Sequence, residues 1–357
     1  MLKFGWRASM LYQDTIIQLL NGDIHTGLNP AKRKYWPHFA YHFTDIDNAI
    51  DILNRGMLVS RERAEKYDAM KNDNASDSVI NHTSIDVKRM VRLYFRPRTP
   101  TQYYNEGFQT ALKRDNSKFQ ANCPVPIFFL FDLSGVLELP KTQFSDKSLA
   151  THDALLMKTP EEFNQLPFDE IYHDSGMVGL DSKQKNEITQ HKHAEIVVPD
   201  SLDLRLLKLI YVRSMAEKTT LLDKLHMNRN FIYDPLVQLG DESTFYMDRN
   251  FIYSVDVNET SLIIQSKVKD PYPKEWGDST SYAVNPDNQA CYLNVVIKIS
   301  VPDGRVFSWP NGNKKALLHE KMSFRWRVPL PEYQVEIWID DHIAYSNHFE
   351  QIEEKPF

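Results

Sequence analysis

At 357 residues the chain is longer than a usual single domain, so two domains are expected. Hydrophobic residues at 42% and charged residues at 25% are globular averages, which excludes extended disorder as the default. A net charge of -6 excludes a protein that coats nucleic acid through its whole field, so such a contact needs a local basic patch. Two cysteines, Cys123 and Cys291, exclude a disulfide scaffold and a cysteine zinc site, and free thiols fit a reducing cytosol. The start, MLKFGWRASMLYQD, lacks the apolar core of a signal peptide. No apolar run approaches the roughly 20 residues of a membrane span. A soluble, cytoplasmic protein without membrane contact is expected.

In chain order, Ser9–Asn21 spaces its apolar residues for an amphipathic helix that stops at Asn21-Gly22. Residues 1–36 read as an N-terminal helical extension. Phe39–Phe43 has strand character, and Asp45–Asn54 carries Ile46, Ala49, Ile50 and Leu53 at helical spacing, with Thr44 or Asp45 as N-cap and Gly56 as C-cap. Lys71–Asp86 reads as a polar loop. Val91–Phe95, Val125–Leu133, Ile196–Val198 and Leu204–Val212 read as strands. Mixed strands and helices over 37–213 indicate an α/β or α+β domain. Met215–Leu225 reads as a connecting helix, within 214–227. Residues 228–357 carry aromatic and β-branched runs separated by turns, and read as a β-rich accessory domain with its own core. The pentapeptide RNFIY occurs at Arg229–Tyr233 and Arg249–Tyr253, either as two related strands or by chance.

No GxGxxG, GxxxxGK[ST] or GxSxG string is present. His191, His193 and Glu195 would share a face if the tract were a strand, but without a further histidine pair no metal centre is expected. A strand glutamate such as Glu195 is by itself more often a solvated edge residue. By the same measure His42 is a core histidine and Thr44 a cap.

Five fragments in order change that weighting. They are His42-Phe43-Thr44; Asn48 with Ile52-Leu53 and Gly56; Tyr94-Phe95-Arg96-Pro97-Arg98-Thr99-Pro100; Ser145-Asp146 with Ala150; and Ala194-Glu195-Ile196-Val197-Val198. Together, over Tyr41–Val212, they resemble the DarT-type ADP-ribosyltransferases. The resemblance implies an α+β fold, a mixed sheet with helices, followed here by a mostly β domain. It implies an NAD-consuming transfer of ADP-ribose to a base of single-stranded nucleic acid, DNA or RNA. It also implies a toxin held in check by an antitoxin partner, in growth control or phage defence.

Splitting nicotinamide from ribose develops positive charge on the sugar, which a carboxylate stabilises, and the same carboxylate accepts the proton of the attacking base. The resemblance gives that position to Glu195. It gives NAD binding to His42 and Thr44, with Asn48 as a third contact. The family's arginine, from a helix before the YF strand, has no counterpart in SVINHTSIDVKRM. Arg92 or Arg89 takes its place in this reading, with His82 a remote third. Arg96, Arg98, Tyr103 and Tyr104 form a basic-aromatic cluster suited to phosphates and unpaired bases, or else a turn with surface arginines. Lys314-Lys315 through Arg325-Trp326-Arg327 offers a second such surface, for substrate, a neutralising partner or another chain. The alternatives are an ADP-ribosyltransferase that modifies protein and a catalytically silent binding module.

Overall fold

The computed structural model describes residues 10–66, 88–115, 122–151, 153–269, 292–312 and 316–351. The predicted loop Lys71–Asp86, His82, Cys291, Lys314, Lys315 and the Ser9 start of the first helix lie outside the described residues.

Helix α1 (Tyr12–Asn21) buries Tyr12, Ile16 and Leu19 and ends at Gly22, whose φ of 86° carries no penalty without a Cβ. Strand β1 (Phe39–Asp45) runs straight into α2 (Ile46–Arg55). Of the two candidate caps it is Asp45 whose carboxylate accepts the Asp47 N–H, while Thr44 belongs to the strand. After β2 (Met57–Val59) come β3 (Met90–Tyr94) and the short α3 (Pro100–Asn105), capped by Thr99 with Pro100 in its first turn. The next strands are β4 (Pro126–Asp132), β5 (Gln143–Ser145) and β6 (Leu156–Met157). Helix α4 (Ser182–His191) precedes β7 (Glu195–Pro199), followed by β8 (Ser201–Asp203) and β9 (Leu207–Val212). The strand predicted from Leu204 starts three residues late, because Leu204–Leu206 make a 3-10 turn capped by Asp203.

Strands β2 and β8 pair only with each other, and the rest, with β10 (Val237–Leu239), form an eight-stranded sheet in the order β10-β9-β4-β1-β3-β7-β5-β6. Every pairing in it is antiparallel except β9 with β10. The fold class is the expected α+β mixed sheet with helices, followed by β sheets.

Two expectations about the second half need correction. The edge strand β10 follows α5 (Met215–Met227), so the first sheet extends past the expected boundaries at 213 and 228. Nor do the β runs keep a core of their own. Ala216, Leu221 and Leu225 of α5 join Ile127 and Phe129 of the first sheet to Ile252, Leu262 and Ile343 in one continuous buried cluster. The physical cause is α5 itself, which buries residues on several faces and so cannot act as an exposed connector.

Beyond α5, β11 (Phe251–Asn258), β12 (Ser261–Lys267) and β15 (Lys321–Arg325) make a three-stranded sheet. The strands β13 (Val295–Ser300), β14 (Val306–Trp309), β16 (Glu332–Ile339) and β17 (His342–Glu350) make a four-stranded one. Along β16 burial alternates residue by residue, as in an antiparallel strand with one buried face. The two RNFIY copies share no structure. Arg229 turns at φ 56° after α5, whereas Arg249–Tyr253 leads into β11. No helix among the described residues is long and apolar enough to cross a membrane.

Candidate active site

Strands β1 and β4 stay paired through seven residue pairs and β3 and β7 through five, but β1 meets β3 at a single pair, Tyr41 with Tyr94. The sheet divides there, and the His42 ring stands at the division. Its Nδ1 lies 3.2 Å from the Arg92 carbonyl, which can only accept, so Nδ1 carries the hydrogen and Nε2 presents a lone pair. The ring stacks on Phe129 with 5° between planes. Burial pushes the His42 pKa down to about 4, against the opposing pull of the carbonyl bond. His42 is therefore a neutral hydrogen-bond acceptor at neutral pH. Thr44, opposite Ile127, and Asn48, in the first turn of α2, are both buried nearby in sequence.

Glu195 opens β7, opposite Tyr94, and is fully buried. Arg92, two residues before Tyr94, reaches it with two donors. Its Nε donates to Oε2, and its Nη2 to Oε1 at 2.6 Å. The Leu149 N–H adds a third bond to Oε1 at 3.2 Å, and the Glu195 N–H is taken up by Ser145 Oγ at 3.1 Å. Burial works to lower the Arg92 pKa, but the charge and hydrogen bonds of Glu195 outweigh it and the net direction is upward. Tyr94, the third group on this face, has its pKa raised by burial and then by the Glu195 charge. By strand alternation Arg92, Tyr94 and Glu195 share one face of the sheet, while His42 and Thr44 take the other. The two sets meet at the backbone of Arg92.

Arg92 thus contacts Glu195. Arg89 does not: it is exposed and paired with Glu62 at 2.9 Å. The expectation for Arg96 needs correction. It is 2% exposed, its Nε and Nη1 donate to the carbonyls of Pro97, Ile171 and His173, its Nη2 pairs with Asp174, and its guanidinium lies 4.8 Å from the Trp36 ring. Burial lowers its pKa to about 10. With its donors spent inside the fold, Arg96 is an internal tie and not a phosphate contact. Arg98, next but one along, adopts φ 56° and lays its guanidinium 4.5 Å from the Tyr246 ring. Tyr103 and Tyr104 are half-exposed on α3.

The tract around Glu195 is not one strand, so its residues diverge. His191 ends α4 and pairs with Glu170 at 2.9 Å, with Nδ1 on the Asp146 carbonyl. His193 bonds Thr101 Oγ1 at 3.0 Å and the Thr189 carbonyl. Tyr94 and Leu149 lie inside the motif fragments, yet nothing local in the sequence marks either for a role at Glu195. Tyr246 and Arg249 lie in a strand-like aromatic run that hides their contacts with Arg98 and Tyr103.

The profile of one protein family, described as ssDNA thymidine ADP-ribosyltransferase, DarT, matches residues 41–238, more than half of the chain. The chain belongs to the DarT family. Its described sheet, from β1 to β10, spans the matched residues, and the β11–β17 sheets lie beyond the DarT match. Among solved structures, the Thermus sp. 2.9 DarT in complex with NAD+ is 20% identical with a TM-score of 0.44, covering 59% of this chain and 98% of that one. The same DarT in complex with ADP-ribosylated ssDNA is 20% identical with a TM-score of 0.45, covering 59% and 97%. The Thermosipho africanus DarTG in complex with ADP-ribose is 18% identical with a TM-score of 0.44, covering 60% and 53%. No curated protein matches the chain.

Proposed function

We propose that this chain transfers ADP-ribose from NAD to a base nitrogen of single-stranded DNA. The buried Arg92–Glu195 pair at the division of the sheet carries the reading. A fully buried carboxylate held by an arginine that stays about a quarter exposed is a charge kept out of water yet within reach of a ligand, the setting in which functional groups cluster.

Glu195 opposes the positive charge that develops on the ribose carbon as its bond to nicotinamide breaks, and the bonding pair leaves on the nicotinamide nitrogen. The base nitrogen then bonds to that carbon, and its proton passes to a Glu195 oxygen. Arg92 fixes the orientation of the carboxylate, and about a quarter of its side chain stays exposed to meet an incoming group. His42, neutral and with Nε2 free to accept, suits a ribose hydroxyl or a carboxamide N–H of NAD. Thr44, on the same strand, and Asn48, in the first turn of the helix that follows, are assigned to NAD with it.

Purified protein incubated with labelled NAD and, in separate arms, single-stranded DNA, RNA and protein extract tests this. Label is expected on DNA and absent with Glu195→Gln; label on RNA alone moves the acceptor to RNA, and label on no acceptor ends the enzymatic reading. Unmodified bases being needed for growth, the proposal extends to a toxin neutralised by an antitoxin partner, in growth control or phage defence. Expression of the wild type is expected to arrest growth and Glu195→Ala to permit it; equal arrest by both would reject catalysis as the cause.

A further inference from the structure

Beyond the family match, residues 241–250 turn back across the sheet face that carries Glu195 and Tyr94. Phe245 and Met247 join Tyr41, Phe43, Phe128 and Tyr94 in a second apolar cluster there. Tyr246, between them, instead meets α3. The Arg98 guanidinium lies 4.5 Å from its ring, and that of Arg249 lies 5.2 Å from it and 4.9 Å from the Tyr103 ring. Tyr103 packs edge-on against both Tyr246 and Tyr104, at 5.3 Å between centroids in each case. The result is an unbroken row of two guanidiniums and three phenol rings, with Tyr103 and Tyr104 half-exposed at its outer end. Thr101, on the same helix, bonds His193 and the Tyr94 side chain, so the row begins within a helical turn of groups that touch the Glu195 surroundings.

A buried polar frame holds the row in place. Gln102 donates to Glu106 at 2.6 Å and to the Thr244 carbonyl at 2.8 Å, and accepts the Arg98 N–H at 2.6 Å. Glu106 in turn accepts the Tyr246 N–H at 2.9 Å and pairs with the fully buried Arg213. Arg249 is mostly occupied, with Nη2 on the Tyr103 carbonyl at 2.9 Å and Nη1 toward Asp248, so it positions the rings rather than reaching outward. Arg98 is the partly exposed cation of the set. In a chain of net charge -6, such a local cation beside exposed rings complements a phosphodiester strand with unpaired bases.

We propose that Arg98, Tyr103 and Tyr104 form a stacking platform for the single strand flanking the modified base, with Tyr246 and Arg249 as its positioning residues. The segment that follows the family domain thereby completes the nucleic-acid surface. The proposal rests on transfer to a base as argued above. Arg98 contacts a phosphate, Tyr103 and Tyr104 take successive bases, and Tyr246, its ring covered by Arg98 and Arg249, holds the set together.

The test is fluorescence anisotropy of a labelled, roughly 12-nucleotide single strand of DNA, within the usual site size of one such surface, with full-length protein and no NAD. Tyr103→Ala/Tyr104→Ala is expected to weaken binding about tenfold or more, and Tyr103→Phe/Tyr104→Phe to restore it, since stacking needs the ring and not the hydroxyl. Arg98→Ala is expected to reduce the slope of log affinity against log salt by about one. Because Tyr103 and Tyr104 are exposed, their truncation leaves the fold intact, which circular dichroism checks. Alanine variants that bind as tightly as the wild type overturn the platform, even where the wild type labels DNA. A wild type that labels nothing, with alanine variants that still lose the strand, overturns the transfer reading and keeps the platform.

Discussion

Arg92 and Glu195 sit on neighbouring antiparallel strands, offset by two residues, so that the guanidinium of one spans both carboxylate oxygens of the other. Tyr94 occupies the position directly across from Glu195, and its ring closes the same face. A bidentate pair of this kind fixes direction as well as charge, and lysine cannot reproduce it.

Two substitutions and their combination separate these contributions. Glu195→Gln preserves shape and removes the charge, and transfer is expected to fall at least about 100-fold, the scale of losing one group that stabilises developing charge. Arg92→Ala leaves a buried carboxylate with little besides the Leu149 N–H, and is expected to cost about 3 kcal/mol in urea unfolding. In Arg92→Ala/Glu195→Gln the second change should recover most of that loss, because no unpaired charge remains. Additive costs in the double variant would show that the pair is not coupled in the folded protein.

His42 has its pKa lowered from an ordinary 6.5 to about 4 by burial. Between those values the unfolded chain binds a proton that the folded one refuses, so stability falls as pH drops from 6.5 toward 4. Above pH 6.5 the group contributes no pH dependence. An NMR titration should place the His42 midpoint near pH 4, and His42→Gln should flatten the stability profile between pH 4 and 6.5. A midpoint at 6.5 would mean a hydrated ring, incompatible with its burial against Phe129.

Strands β1, β3, β4, β7 and β9 were legible as short apolar runs, as Ile127–Phe131 illustrates, whereas β5, β6 and β10, of two or three residues each, were not. The helices Pro160–Asn164 and Phe168–Ile171 were not, since four or five residues carry too little periodicity. Glu195, His42 and Thr44 could be picked out by motif order, and Arg92 by its place on the VRLYF strand. Arg96 and Arg98 could not be told apart. Which of them turns inward depends on Trp36, Ile171, His173 and Asp174, none of them close in sequence. Tyr246 was invisible for the same reason, as nothing local brings it to Arg98. Glu106 likewise meets Arg213 only through the fold, although Glu217 lies just four residues from it.

That last triad ties the end of β9 and the start of α5 to the turn after α3, with the Arg213 guanidinium also 4.3 Å from the Phe251 ring of β11. Burial raises the pKa of both glutamates, against the pull of Arg213. Together with the continuous core, this predicts one cooperative unfolding transition for both halves of the chain. Near-ultraviolet circular dichroism and loss of transfer should therefore coincide along a urea titration. Arg213→Met, which strands two buried carboxylates, should lower stability by about 3 kcal/mol and so move that common midpoint to lower urea. Separate melting of the β11–β17 sheets would contradict the shared core.

Gly107 links the triad to the tyrosine row. It adopts φ 85°, and a Cβ there would stand 2.7 Å from the Arg249 Cβ and 3.3 Å from Arg213 Nη1. Arg249 cannot easily yield, because its Nη2 is held by the Tyr103 carbonyl and its backbone leads into β11. Gly107→Ala therefore combines left-handed strain with overpacking, and about 3 kcal/mol of destabilisation is expected. Gly304 provides the control, with φ 88° and nothing within 4 Å of its would-be Cβ. Gly304→Ala carries the backbone strain alone, about 1 kcal/mol. Gly107→Ala should also weaken single-strand binding, since the displaced Arg249 loosens Tyr103 and Tyr246, whereas Gly304→Ala should not. Urea midpoints and anisotropy on the two variants decide the matter. Equal costs at both glycines would mean that Arg249 moves freely and does not hold the row in place.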